Sequence, residues 1–469
     1  MLLAVAAVMA VIVAARLLFG PYRFGLISVT TPLNPEGFFG LAVTLLLLGR
    51  AAVNPPETPW TRRRSLFLAV GVTAISIIAL RKALGLYFLS DDFFEVKLAN
   101  EWTPAMFGTT FTHGGGDGFF RPVGNISLAL TAKLSGFRPA WWHAAAVAIH
   151  TLNSVLVLFM ARRLGASALA SGFAGALFAV HGIHPEAAAW IAGRFDLLST
   201  FFLLAGLLVY CKHDTVPFTL HAAALTCFAL AALSKEAAFI FPLLVAGYTL
   251  WKRQPLRWTI PYFALAAILF AYRWSLFGGI GGYVDRATGR PGALTLGLGT
   301  GLKAVAVRLW TGLYFPLNWS TDPSLPLALL AIAYMAALIW LGLHHKPARP
   351  LWLAAAAILI SVIPVLSLIA GSPALMGSRV WYLPSVWFAI LLALALDGVS
   401  PRAGRAVAAI VLLFQYAALE HNLGFWERAS ARVKAECATG APVLPDWMDG
   451  VPAFANGKQE CIEITRAQP

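Results

Sequence analysis

The sequence predicts an all-α, polytopic transmembrane bundle of about 13 spans. Of its 469 residues, 59% are hydrophobic and 12% are charged, and the mean hydropathy is +0.74. These values lie far from those of an average soluble domain. A spanning helix needs about 20 mostly apolar residues. The apolar runs that meet this need are 2–19, 37–53, 65–83, 139–161, 165–181, 195–211, 217–233, 236–251, 258–274, 324–343, 350–370, 382–398 and 403–420.

These runs predict one transmembrane domain, residues 1–420, and a small external tail, residues 421–469. The first run could instead be a cleaved signal peptide. It lacks basic residues before its apolar part, and Arg16 stands at its far end, so we favour a retained anchor. Cleavage would not move the later loops.

The net charge of +14 does not indicate nucleic-acid binding, because the basic residues stand at the ends of apolar runs. Such clusters mark the cytoplasmic side of a membrane. They are Arg62 to Arg64, Arg162-Arg163, Lys252-Arg253 with Arg257, Lys346 with Arg349, and Arg402 with Arg405. They predict a cytoplasmic N-terminus and an external C-terminus, and we expect the inner membrane of a prokaryote. The segments predicted to be external are 86–121, 181–194, 234–236, 275–320, 371–381 and 421–469.

The first external loop contains the acidic pair Asp91 and Asp92, directly after an apolar run. Carboxylates at a membrane face are costly and usually mark chemistry. The structural alternative is a helix cap or a solvated loop acid. The glycine run 114–116 lacks the Gly-Lys-Ser/Thr ending of a phosphate-binding loop, so we interpret it as flexible backbone.

The second polar external segment contains His181, His184 and Glu186, and then Arg194 and Asp196. Two histidines and a glutamate suggest a metal site. Their order does not match the His-Glu-x-x-His zinc spacing, and histidines at helix interfaces are more common. We therefore predict no metal ligands and no required cofactor; a divalent ion is possible but not indicated. Arg194 and Asp196 are predicted to pair and hold two helices together.

Two later segments place cations near predicted span ends. Lys235 stands beside Glu236, and the alternative to a functional role is a self-neutralising pair. Arg379 stands among interfacial aromatic residues that include Tyr382. An aromatic belt with a snorkelling cation is the structural interpretation, and an anion site facing a lipid headgroup is the functional one.

Two more features concern the outer side. Residues 292–318 predict a helix along the outer interface, because basic and aromatic residues mix there. Cys437 and Cys461 both fall in the tail, so we expect a disulfide between them. Cys211 and Cys227 lie in or beside apolar runs and are interpreted as buried small residues.

Several of these motifs occur together in one order. They are Asp91-Asp92, Phe120-Arg121-Pro122, His181-x-x-His184-x-Glu186 through Gly193-Arg194-x-Asp196, Leu233-Ser234-Lys235-Glu236, and Arg379-x-Trp381-Tyr382-Leu383-Pro384-Ser385. Over about residues 88–398 the chain resembles the transmembrane and tetratricopeptide-containing protein O-mannosyltransferases, and more broadly the GT-C class of membrane glycosyltransferases.

The resemblance implies an inverting glycosyltransferase that moves a sugar from a polyprenyl-phosphate-linked donor to an acceptor on the external face. It places an Asp of the first external loop at the reacting centre, and we favour Asp91 over Asp92. Three departures limit it. No repeats of about 34 residues follow the last span, an additional pair of spans comes first, and His181-Gly182 stands where the family commonly has His-Pro. Acceptor choice is therefore not carried over.

This reaction needs a carboxylate to take the acceptor hydroxyl's proton, and cations to hold the charge on the departing phosphate. Asp91 or Asp92 can supply the first. Donor and substrate binding is assigned to Arg379, Lys235, Arg121, His181, His184, Glu186, Arg194 and Tyr382. The predicted partners are the lipid donor, membrane lipids and a protein, glycan or lipid acceptor, with no nucleic acid.

Two other classes of protein remain as alternatives. A secondary transporter or lipid flippase should show inverted repeats and ionisable residues near span midpoints. The sequence shows neither clearly, because its polar residues gather at one predicted face. A non-catalytic structural protein would tolerate loss of both Asp91 and Asp92.

Overall fold

The computed structural model is mainly helical in the part of the chain that it describes. This part is residues 1–24, 27–49, 61–114, 118–212, 218–282, 297–346, 349–369, 373–454 and 457–467. The α-helices are α1 Leu2–Phe19, α2 Leu33–Leu48, α3 Arg62–Ala79, α4 Asp91–Glu101, α5 Phe107–Thr112, α6 Pro122–Ser135, α7 Pro139–Arg163, α8 Ala168–Val180, α9 Pro185–Ala188, α10 Arg194–Tyr210, α11 Phe218–Ser234, α12 Phe241–Trp251, α13 Ile260–Phe277, α14 Leu298–Lys303, α15 Leu309–Tyr314, α16 Leu325–His344, α17 Arg349–Val362, α18 Tyr382–Leu396, α19 Pro401–Ala438 and α20 Lys458–Ala467.

Shorter elements join these helices. The 3-10 helices are Arg81–Gly85, Pro104–Met106, Ile191–Gly193, Glu236–Ile240, Leu256–Thr259, Ile363–Leu368 and Ser378–Trp381, and Ala304–Arg308 is a π-helical turn. Two antiparallel strand pairs complete the described elements: β1 Tyr22–Phe24 with β2 Ile27–Val29, and β3 Trp447–Met448 with β4 Val451–Pro452.

Every predicted apolar run overlaps a helix. Eight helices are long and apolar enough to cross a membrane, and four shorter apolar helices of 10–17 residues accompany them within the described residues. The chain is therefore an integral membrane protein. The count of about 13 spans stays a prediction.

Two helices begin earlier than the sequence predicts. α2 starts at Leu33 rather than at residue 37, because Glu36 is fully buried inside the helix instead of marking a loop. α3 starts at Arg62, where the Thr61 hydroxyl accepts a hydrogen bond from the Arg64 N–H at 3.3 Å. This is an ordinary threonine N-cap, and it places the basic cluster on the first helical turn.

α19 crosses residue 420, where the predicted tail begins, without a break. Apolar side chains keep their helical spacing beyond that point, and Leu419, Leu423, Trp426 and Val433 are buried. The helix therefore continues for 38 residues, to Ala438. The predicted disulfide between Cys437 and Cys461 is confirmed, and it ties α20 back to the end of α19.

The buried apolar residues form two clusters. The larger one fills the interior between the long helices. The second gathers apolar side chains from residues 79–99, 128–147, 180–195 and 419–464. Three of these ranges, all but 128–147, include segments that the charge distribution predicts to be external, so this second cluster holds the candidate site loops together. Of the predicted interfacial helix 292–318, residues 298–314 are helical and residues 292–296 lie outside the described part of the chain. α15 is buried against α2, so this part of the segment does not lie at an exposed interface.

Candidate active site

Residues 185–196, named the central segment here, lie at the middle of the candidate site. The segment consists of α9, the 3-10 turn 191–193 and the first turn of α10. Pro185 suits the first turn of α9, where no N–H partner is needed. Gly193 is required because a Cβ there would lie 2.4 Å from the Ala187 carbonyl oxygen. The central segment thus folds back on itself tightly, and almost all of its side chains are buried.

Asp92 contacts the central segment through its backbone. The side chain is fully buried; Oδ1 accepts from the Ala192 N–H at 3.0 Å and Oδ2 from the Leu89 N–H at 3.1 Å. Burial raises the pKa of the Asp92 carboxyl well above its ordinary value, and these N–H donors oppose that change. With both oxygens engaged and no exposed surface, Asp92 has the geometry of a residue that holds two segments together.

Asp91 differs from its neighbour in burial. Its side chain is partly exposed, and the Ser90 hydroxyl donates to its Oδ1 at 3.4 Å. Asp91 is also the first residue of α4, so its position depends on how that helix begins. Of the two carboxylates, Asp91 is the one that an acceptor hydroxyl can reach.

Glu186 and Trp190 connect the Asp91 loop to Arg379, the residue of the predicted anion site. Arg379 forms an ion pair with Glu186, and the Ser378 hydroxyl donates to the other Glu186 oxygen at 3.1 Å. The guanidinium also lies 4.8 Å from the centre of the Trp190 ring, within cation–π range. The Trp190 indole N–H donates to the Leu89 carbonyl at 3.1 Å. One tryptophan therefore contacts both Arg379 and the loop that carries Asp91.

Two predicted ion pairs have different partners in the structure. Asp196 pairs with Lys235 at 2.6 Å rather than with Arg194, and both side chains are buried. Glu236 pairs with Arg121 rather than with Lys235, through bonds of 2.6 Å and 3.1 Å. Each acid pairs with a cation from another element and not with the cation nearest to it in sequence. Proximity in sequence therefore could not predict either pair.

Breaking the Lys235–Asp196 pair is expected to destabilise the protein. Lys235→Met would leave Asp196 buried without its cation, at a cost of about 3–5 kcal/mol in the free energy of unfolding. The double variant Lys235→Met with Asp196→Leu is expected to regain most of that loss. Thermal unfolding of the purified protein in detergent measures both. A single variant that unfolds at the wild-type temperature would contradict the assignment.

Three further predicted site residues, His181, His184 and Arg194, are fully buried. His181 bonds through Nε2 to the Leu313 carbonyl at 2.9 Å, and its Nδ1 accepts from the Ile183 N–H at 3.2 Å. His184 Nε2 and the Ser385 hydroxyl are 2.9 Å apart. Arg194 donates to Thr131 at 2.6 Å and to the Trp142 carbonyl at 2.7 Å. These contacts join helices away from any exposed surface, and the donor-binding role of His181, His184 and Arg194 stays a prediction.

Tyr382 belongs to a buried polar cluster that the sequence analysis missed. Its hydroxyl lies 2.9 Å from His150 Nδ1 and 3.0 Å from Asn153 Nδ2. Asn153 also donates to the Leu197 carbonyl at 2.9 Å. The signal was present, since His150 and Asn153 are polar residues inside a spanning run and lie one helical turn apart. The cluster packs α7, α10 and α18 together, so Tyr382 contributes to helix packing, and its role in donor binding stays a prediction.

Asn422 of α19 bonds to the segments around Gly182 and Asn318. The sequence analysis missed both asparagines. Asn422 donates to the Gly182 carbonyl at 2.7 Å and to the Pro316 carbonyl at 2.6 Å, and it accepts from the Asn318 N–H at 2.9 Å. These bonds explain Gly182, where a Cβ would lie 2.8 Å from Pro316. A glycine therefore fits this close approach.

The remaining predictions concern the glycine run and a metal site. Gly115, Gly116 and Asp117 of the glycine run lie outside the described residues. Within the described ranges, no group of three or more His, Cys, Asp or Glu side chains is arranged to hold a metal ion.

No family model matches the chain. Its sequence is 31% identical over 151 residues to the protein O-mannosyl-transferase tmtc2 of Xenopus laevis, and 32% identical over 153 residues to Tmtc1 of Drosophila melanogaster. Each match covers 30% of this chain. The chain is similar to the protein O-mannosyltransferases. The resemblance found in the motifs is thus confirmed over part of the chain, which spans 18% of the length of each of these relatives.

Two solved structures are also similar, at low levels. The oligosaccharyltransferase of Archaeoglobus fulgidus, tethered with an acceptor peptide, has a TM-score of 0.44 and 14% identity, covering 82% of this chain and 58% of the other. ArnT from Cupriavidus metallidurans, bound to undecaprenyl phosphate, has a TM-score of 0.38 and 15% identity, covering 86% and 88%. Neither likeness is high enough to carry an inference about this chain.

Proposed function

We propose that the protein is an inverting membrane glycosyltransferase of GT-C type. It transfers a sugar from a polyprenyl-phosphate-linked donor to an acceptor hydroxyl on the external face of the membrane. The observation that carries the proposal is the contact of Trp190 with both Arg379 and the Asp91 loop. It brings a reachable carboxylate and a cation from distant loops to the same buried segment. Similarity to the protein O-mannosyltransferases supports the same reaction class.

The proposed step is a single displacement at the anomeric carbon. The acceptor oxygen forms the new bond while the bond from that carbon to the phosphate oxygen breaks, so the configuration inverts. The acceptor's proton moves to Asp91, and the lipid phosphate leaves with the electron pair. Arg379 stabilises the phosphate charge; its side chain keeps 17% of its surface exposed, whereas Glu186 keeps 2%. Glu186 therefore orients the guanidinium from its buried side.

Arg121 is the second candidate cation for the donor phosphate. Its side chain is 11% exposed, and it is held bidentately by Glu236. Its guanidinium also lies 5.2 Å from the ring of Phe195, a residue of the central segment. Arg121 and Arg379 therefore both contact the central segment, and both are oriented by a carboxylate.

The direct test is sugar transfer in reconstituted membranes. Purified protein in vesicles is expected to form a new glycosidic bond from labelled mannosyl polyprenyl phosphate, the first donor to try because the relatives are O-mannosyltransferases. A panel of other hexose and pentose donors is tested in the same way. Movement of labelled lipid across the vesicle membrane with no new bond from any donor would overturn the proposal and favour a lipid flippase.

A further inference from the structure

Ser90, the residue before Asp91, has a backbone conformation that is unfavourable for serine. Its φ is +50° and its ψ is −121°, and it is fully buried. A non-glycine residue in such a region costs on the order of 1–3 kcal/mol and persists only where its surroundings hold it. Because Asp91 is the next residue and begins α4, the conformation of Ser90 fixes where the Asp91 carboxylate lies.

The contacts that hold Ser90 come from residues 439–454 and 457–467, together named the C-terminal segment here. The Ser90 N–H donates to the Ala453 carbonyl at 2.7 Å. Gly457 lies against the same turn, since a Cβ there would be 3.1 Å from the Ser90 carbonyl oxygen and 2.9 Å from Phe93 Cβ. Gly457 also has a φ of +96°, which favours glycine. The C-terminal segment thus lies against both the N–H and the carbonyl group of Ser90.

The same segment packs along α4. Lys97 and Glu463 form an ion pair at 2.7 Å, and the rings of Phe93 and Phe454 have centroids 6.5 Å apart. The hydroxyls of Tyr87 and Thr465 are 2.6 Å apart. Contacts therefore run from the residues before Asp91 to the second turn of α4.

The disulfide keeps α20 in this position. α20 has ten residues, too few for a helix to be stable alone in water. Cys461 in α20 is bonded to Cys437 in the last turn of α19, and both are buried. α19 also bonds directly to the Asp91 loop, because the Ser430 hydroxyl accepts from the Tyr87 N–H at 2.6 Å. α4 is thus held between a long helix and a segment attached covalently to it.

We propose that the C-terminal segment is the positioning element for Asp91. By holding Ser90 and α4, it places the carboxylate for proton transfer without touching the substrate. This inference rests on the proposed function for its catalytic part. A misplacement of about 1 Å at a reacting group can lower a rate about 100-fold. Loosening the segment should therefore lower kcat, while donor binding at Arg379, on the other side of Trp190, keeps its KM.

The test compares Gly457→Val with Gly440→Val in the full-length protein. Both glycines have positive φ values, +96° and +75°, and both lie in the C-terminal segment. At Gly440 the nearest atom to a new Cβ is the flexible end of Arg466, at 3.4 Å, whereas at Gly457 it is the Phe93–Ser90 turn. The two variants therefore share the backbone penalty and differ in contact with Ser90.

Gly457→Val is expected to raise hydrogen exchange in α4 and to lower kcat about 10- to 100-fold, with the donor KM within about twofold. Gly440→Val is expected to change neither. Cys461→Ser should resemble Gly457→Val. Wild-type exchange in α4 of Gly457→Val, or an equal loss of kcat in Gly440→Val, would overturn the inference. If the wild-type protein transfers no sugar, the proposed function fails, and exchange in α4 still decides whether the segment holds that helix.

Discussion

Asp91→Asn is expected to fold normally and to transfer sugar at least about 100-fold more slowly than the wild-type protein. The Asp91 side chain is partly exposed, so an amide fits without leaving a buried group unpaired. The amide cannot take the acceptor's proton, and a positioned general base is typically worth about 10²–10⁴ in rate. The measurement is the initial rate of transfer together with the unfolding temperature.

Asp92→Asn is the matched control, because the same substitution one residue away should lower the stability more than the transfer rate. Both Asp92 oxygens accept backbone N–H groups, and an amide NH2 would face one of those donors. The expected loss is about 1–3 kcal/mol in the free energy of unfolding, with a smaller effect on the rate of the protein that stays folded. Full transfer by Asp91→Asn would remove the proposed base.

Arg379→Gln is expected to raise the donor KM and to lower kcat/KM about 100- to 1000-fold, because a cation facing the departing phosphate is lost. It would also leave Glu186 buried without its cation, and removing one partner of a buried pair costs about 3–5 kcal/mol. Activity and stability should therefore fall together in this variant.

Glu186→Gln separates these two effects. It breaks the same ion pair but keeps the guanidinium, which still lies on the Trp190 ring. We expect it to keep most donor binding, and the double variant Glu186→Gln with Arg379→Gln to be stable but as inactive as Arg379→Gln. Equal loss of transfer in Glu186→Gln and Arg379→Gln would mean that the pair serves only packing.

The spanning helices were predictable because apolar runs of sufficient length leave few alternatives in a membrane. Their ends were less so. Glu36 stands just before the predicted run 37–53, yet it is buried in α2. Glu420 stands at the end of the predicted run 403–420, yet it lies within α19. A charged residue marks a helix end only when no buried partner or continued packing accommodates it, and neither is visible in sequence.

Motif order predicted which loops carry the candidate site, but not the task of each residue. Asp91 and Asp92 are identical in type and adjacent, and only burial distinguishes them. Lys235 and Arg194 are predicted to bind the donor or substrate. In the structure Lys235 forms an ion pair with Asp196 of α10, and Arg194 donates a hydrogen bond to Thr131 of α6. Trp190 was not singled out, because a tryptophan among alanines resembles ordinary core packing.

The support beneath Asp91 has a consequence for biogenesis. Tyr87 and Thr465, which bond directly, are separated by 378 residues. Contacts so distant in the chain form late, because the entropy of closing a long loop must be overcome first. The acidic loop is synthesised early, but its contacts with Ala453, Glu463 and Thr465 cannot form until those residues have been translated. A nascent chain that lacks these residues is therefore not expected to hold Asp91 in its final position.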